Sequence, residues 1–281
     1  MPLRFLKTNW FISNPFVKIL VYANVFIAIC ALAQVFLTYR LFAIPLNFAN
    51  NSYLLFILLS TYLQYNVQRG YMINQNNVHE ERSQWLIKHK KTLLISVGLS
   101  LLIVLFLCNS LSWTSIGIMI GAEVVSTLYY LPPFNLRRHG YIKPFLISLV
   151  WVISCSVVPL IENKLLTEHS IWFVVSQFCF ISVLCLLFDI KDSVNDFLSG
   201  VNTYANKFGS NITKLMCLFF VTGGFISFYL FNHPTQFLFS SIVLRLLVIA
   251  TVIFTNDKRH SFYYYLWVDG LLIVQTMLFL F

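Results

Sequence analysis

Nine stretches of the chain are apolar over most of their length, and short polar or charged segments separate them. They run over about Val17–Tyr39, Ser52–Asn66, Thr92–Cys108, Trp113–Leu131, Pro144–Ile161, Ile171–Phe188, Ile212–Phe231, Phe237–Thr255 and Phe262–Phe281. A hydrocarbon core about 30 Å thick is crossed by about 20 helical residues, so each stretch approaches the length of a span; the second and third are the shortest. The pattern predicts an all-α integral membrane protein with nine transmembrane helices, a single polytopic domain over residues 1–281. The cytoplasmic loops are expected at about 67–91, 132–143 and 189–211. Residues 1–16 mix Arg4, Lys7 and Trp10 with apolar side chains. They read as an interfacial lead-in to the first span, because no small-residue cleavage site follows a short hydrophobic run.

Composition agrees: 10% of residues are charged, against about 25% in soluble domains, so most of the surface is not built to meet water. The net charge of +9 is positional. Of the 19 Lys and Arg, 16 fall on one side of the alternating loops, only Arg40 and Lys164 on the other, and Arg245 inside a span. Basic loops stay in the cytoplasm, which puts the N-terminus there and the C-terminus on the far side. The expected location is the cytoplasmic (inner) membrane, with the working face cytoplasmic. No basic residues alternate with aromatics on a polar face, which argues against nucleic acid as a partner. The six cysteines lie in or beside apolar stretches without a CxxC pair, and so read as packing residues. Inside the spans lie Glu123, Arg245 and Asp269. An unpaired charge there is costly, so Arg245 is expected to pair with an acid and lock helices 8 and 9 together.

Of the 10 acidic residues in the chain, three fall within eight positions: Asp189, Asp192 and Asp196. On a helix these spacings keep all three within an arc of about 60°. Three carboxylates on one stripe at a membrane edge repel one another and resist desolvation. A divalent cation resolves that conflict, and Mg²⁺ suits it because it takes few carboxylates and completes its shell with water and phosphate oxygens. Capping aspartates in a solvated loop are the simpler alternative.

The flanking residues go further. Asp189, Asp192 and Asp196 are followed by Gly200, Thr203 and Gly209, a spacing that resembles the second aspartate-rich motif of the UbiA-type membrane prenyltransferases. Leu128-Tyr129-Tyr130-Leu131-Pro132, with Arg137 and Arg138 behind it, is similar to that family's Tyr-Ser-x-Pro segment and its basic pair. The resemblance implies transfer of a prenyl group from an isoprenyl diphosphate to a lipophilic, often aromatic, acceptor. It further implies Mg²⁺ at Asp189, Asp192 and Asp196, and diphosphate held by Asn66, Arg69, Tyr129, Arg137 and Lys191. The family's first motif is altered here: Asn66 is kept, but its three aspartate positions hold Val67, Gly70 and Asn74. Glu80 and Glu81 lie beyond the motif, and Arg69 could meet diphosphate directly. The altered motif also leaves open a catalytically lapsed relative that binds isoprenoids or serves as a structural membrane protein. A solute transporter ranks lower, because no matching pair of glycine- and proline-broken spans occurs.

Overall fold

The computed structural model describes residues 14–73, 81–231 and 236–280. The lead-in before residue 14, as well as Asn74, His79 and Glu80, lie outside the described residues. Helices account for nearly all the rest, and no strand occurs among the described residues. In chain order they are α1 (Pro15–Tyr22), α2 (Val25–Leu41), α3 (Phe48–Ile73), α4 (Glu81–Lys88), α5 (Lys90–Leu107), α6 (Trp113–Tyr130), α7 (Lys143–Glu162), α8 (Glu168–Leu198), α9 (Tyr204–Phe208), α10 (Ser210–Leu230), α11 (Gln236–Phe254) and α12 (Gly270–Leu278).

Each predicted apolar stretch falls on one of these helices or a pair of them, but α3 and α8 run well past the predicted ends and the last stretch is divided between a π-helical turn and α12. Five helices, α5, α7, α8, α10 and α11, are long and apolar enough to cross a membrane, and α1–α2 is a sixth if the bent pair is one span. Polar residues thin the apolar run of α3 (Gln64, Asn66, Gln68, Arg69) and of α6 (Glu123, Ser126, Thr127). A π-helical turn at Tyr263–Val268 leaves α12 short. Large apolar side chains stand outward along the long helices, Ile95, Leu102 and Phe106 on α5 and Phe219 on α10 among them. An outer surface of that kind belongs in lipid, and the chain is a multi-pass helical membrane protein.

The first stretch is bent, not straight. Between α1 and α2 the axis turns by 63° at Asn24, whose φ of 60° is left-handed. Asn is among the few residues that adopt this conformation readily, and its surroundings fix it. The Asn24 amide donates to Asn66 Oδ1 at 3.1 Å, Asn66 Nδ2 donates to the Ala23 carbonyl at 3.0 Å, and Arg82 of α4 donates to the Val21 carbonyl and Asn24 Oδ1. On the outside, Lys18 donates to Glu81 across 2.7 Å. That hydrogen bond holds the Glu81 carboxyl below the usual glutamate range.

In α7 the break has a chemical origin. Pro159 has no N–H to give to the preceding turn, and the helix widens to a π turn over Ile153–Val157. Thr38 Oγ1 donates to the freed Cys155 carbonyl at 2.9 Å, and the Tyr53 hydroxyl donates to the Ser154 carbonyl at 2.6 Å. Such partners are needed where no water reaches. They also fasten α7 to α2 and α3.

The long helix α8 is the centre of the bundle, packed against α7 and α10. Its start is secured by a capping box between Thr167 and Ser170, and Phe173, Val183, Leu186 and Leu187 are fully buried. The predicted span ended at Phe188, but the helix continues to Leu198, so the aspartate stripe is helical throughout. Among the described residues Arg245 does not pair with an acid. Its Nη2 donates to Ser176 Oγ at 3.2 Å and to the Gly224 carbonyl at 3.1 Å, and the guanidinium lies over the Phe228 ring. It ties α11 to α8 and α10, because a hydroxyl and a backbone carbonyl are the acceptors those helices present to it. The six cysteines are free thiols.

Candidate active site

The end of α8 explains the glycines and threonine of the motif. The Gly200 N–H bonds the Phe197 carbonyl at 3.0 Å and the Val201 N–H bonds the Asp196 carbonyl at 2.8 Å, the paired bonds of a Schellman stop. Gly200 has φ +72° and Gly209 has φ 84° with ψ 164°, a region essentially reserved for glycine. Thr203 caps α9 reciprocally with Asn206. The turn from α8 to α10 is therefore tightly specified, and the 132–143 loop packs onto it through Gly140. A β-carbon at Gly140 would meet the Asn202 carbonyl carbon at 2.7 Å.

This contact brings the first residue of α7 over the aspartates. Lys143 Nζ lies 2.8 Å from Asp189 Oδ1 and 2.8 Å from Asp196 Oδ2, donating a hydrogen bond to the latter. The side chains are 9%, 1% and 2% exposed, in that order. Asp189 Oδ2 has no hydrogen-bond partner among the described residues. Arg137 stands 3.9 Å from Asp196 Oδ1 and reaches Met72 Sδ on α3. Tyr129, buried at the end of α6, is within electrostatic reach of Lys143, Arg137, Asp189 and Asp196.

Asp192 is placed apart from the other two aspartates: it pairs with Lys191 at 3.1 Å and is 31% exposed. Lys191 turns toward the C-terminal segment, bonding the Tyr265 hydroxyl at 3.2 Å. Its ammonium also lies 4.6 Å from that ring's centre, and Arg82 lies over the same ring. Asn66 is engaged at the α1–α2 bend, where its amide also donates to the Tyr62 carbonyl. Arg69 is half-buried on α3 and makes no ion pair among the described residues. Val67 is exposed, and a side chain at Gly70 would meet nothing. Glu81 is engaged by Lys18.

A resident Mg²⁺ held by all three aspartates does not fit this arrangement. An ammonium lies between two of them, the third is paired separately, and no three acidic, histidine or cysteine side chains among the described residues form a metal site. Asp192 alone remains accessible enough to meet an ion arriving on a ligand.

Sequence reasoning counted Lys143 only as a topological charge. One local signal was available: a lysine at the first position of a helix faces the positive end of the helix dipole, so it needs acidic partners. Arg82 and Tyr265 were missed as well; no local pattern marks them.

Between α3, α6 and α7 lies a cavity of about 200 Å³, whose lining includes Tyr129 but not Lys143, Arg137, Asp189 or Asp196. Tyr129 lines it, together with Tyr65, Trp151, Gln64, Gln68, Glu123 and Ser126, and Trp151 Nε1 donates to the Tyr65 hydroxyl at 3.2 Å.

No family model matches the sequence, and no curated protein is similar to it at a significant level. Solved structures do share its shape, and the fold is that of the UbiA-type membrane prenyltransferases. A UbiA homolog from Archaeoglobus fulgidus superimposes with a TM-score of 0.63 at 15% identity, covering 92% of this chain and 98% of that one. A digeranylgeranylglyceryl phosphate synthase of membranes gives 0.61 at 13% identity, covering 94% and 96%. At such identities the likeness is one of fold.

Proposed function

We propose that the chain is a membrane prenyltransferase that binds an isoprenyl diphosphate through Lys143 and Arg137, which Asp189 and Asp196 hold in place, and transfers the prenyl group to a lipophilic acceptor. What supports this reading above all is the gathering of Lys143 and Arg137 at two buried carboxylates, with the nearby Tyr129 lining the cavity between α3, α6 and α7. On this reading the diphosphate accepts hydrogen bonds from Lys143 and Arg137, with Arg69 and Lys191 at the margins. Positive groups fixed in a desolvated site stabilise the charge that develops on a leaving diphosphate. The C1–O bond breaks with its electron pair going to the diphosphate, and the allylic cation left behind is met by the faces of Tyr65, Tyr129 and Trp151. The acceptor's nucleophile then bonds to C1 and releases a proton. Magnesium carried on the substrate would be held by Asp192 and phosphate oxygens, a ligand set it favours, and would add to the neutralisation.

The same reading takes all nine apolar stretches as spans and puts the N-terminus and the charged cluster on the cytoplasmic side of the inner membrane, following the 16-to-2 division of Lys and Arg. The test is release of inorganic diphosphate from farnesyl and geranylgeranyl diphosphate by the purified chain in lipid nanodiscs, with lipid extract as acceptor. Release is expected from the wild type, and Asp189→Ala should reduce it by about two orders of magnitude or more. Release unaffected by Asp189→Ala would remove the site from the reaction.

A further inference from the structure

We propose that Lys143 is a built-in counter-cation that occupies the position of a divalent metal between Asp189 and Asp196, so that this buried pair is held without a bound metal. The inference reaches beyond prenyl transfer, because it holds whether or not a bound diphosphate is turned over.

The geometry carries it. One ammonium sits 2.8 Å from a carboxylate oxygen of each aspartate, and all three side chains are almost completely withdrawn from solvent. Two buried carboxylates without a cation repel each other and are strongly disfavoured. Lys143 relieves this, and a metal at the same point would have to displace it. The lysine is not a mobile surface group that has fallen inward. Its backbone begins α7 immediately before Pro144, and the Gly140–Asn202 contact sets the loop that delivers it. Its hydrogen bond goes to Asp196, and it meets Asp189, whose oxygens have no hydrogen-bond partner among the described residues, as a close ion pair.

Arg137, 3.9 Å from Asp196, adds the second positive charge, so two cations of the chain stand against the two carboxylates where a divalent metal would otherwise be needed.

The experiment uses the full chain in phosphatidylcholine nanodiscs with two probes, Mn²⁺ followed by its EPR signal and inorganic diphosphate followed by calorimetry. Wild type should take up no stoichiometric Mn²⁺. Lys143→Met should bind one Mn²⁺ about a hundredfold more tightly than wild type. Adding Asp189→Asn should abolish that gain, and Lys143→Arg, which keeps the charge, should show none. Inorganic diphosphate should bind wild type in the presence of EDTA. Stoichiometric Mn²⁺ on wild type that Asp189→Asn removes would overturn the inference, and so would diphosphate binding that requires added Mg²⁺. If Lys143→Met does not fold, these two wild-type measurements decide alone. A chain that binds diphosphate in EDTA yet releases none from prenyl substrates would support this inference and contradict the transfer reading.

Discussion

Replacing Lys143 with methionine is expected to destabilise the folded chain by about 3–5 kcal/mol, the usual cost of leaving a buried charge without its partner. Two carboxylates depend on this ammonium, and among the described residues neither has another cation within hydrogen-bond distance; Arg137 approaches Asp196 only to 3.9 Å. The measurement is the midpoint of thermal unfolding in detergent, read by loss of the monodisperse chromatographic peak. A large fall is expected for the single variant. Much of it should return when Asp189→Asn and Asp196→Asn are added, because those changes remove the charges that were stranded. A Lys143→Met chain as stable as wild type would mean that the aspartates are hydrated, and that the lysine is only their neighbour.

Gly140→Val is expected to leave the helices intact and yet reduce diphosphate release by about a hundredfold, the effect of misplacing reacting groups by about 1 Å. The β-carbon would run into the Asn202 backbone, which cannot swing aside as a flexible side chain could. The 132–143 loop must therefore lift from the turn after α8 and carry Arg137 and Lys143 with it. Gly70→Ala is the control. Its β-carbon would meet nothing within 4 Å, and helix propensity alone favours the change. Circular dichroism of both variants should match wild type. Equal activity of Gly140→Val and wild type would show that the loop contact does not set the position of Lys143.

The helical architecture was legible because lipid leaves a periodic, compositional trace that survives in a single sequence. The aspartate stripe was legible for a related reason: three scarce acids in eight positions stand out against an apolar background. Interactions between distant segments were not legible. The first stretch carries neither proline nor glycine within 17–39 and reads as one straight span. Its bend at Asn24 depends on Asn66 and Arg82, more than 40 positions away. Asn66 was expected among the diphosphate-binding residues, and its hydrogen bonds go to that bend and to Tyr62. Arg245 was expected to find an acid; instead it found a hydroxyl and a backbone carbonyl, acceptors that any helix can offer and that no residue type announces. Lys143 is the clearest case. Its partners lie 46 and 53 positions ahead, and only the packing of Gly140 on Asn202 brings them together. A lone lysine in a basic loop is indistinguishable from a topological charge until that contact is seen.

The most direct measurement for the central claim, that Lys143 and Arg137 hold a prenyl diphosphate whose chain enters the cavity, is photolabelling with a geranylgeranyl diphosphate analogue carrying a diazirine on its chain. Cross-linked peptides from the full chain in nanodiscs should map to α3, α6 and α7 around Tyr65, Tyr129 and Trp151, and excess inorganic diphosphate should suppress the labelling. Labelling dispersed over the lipid-facing surfaces of α5, α10 and α11, and indifferent to inorganic diphosphate, would contradict the account.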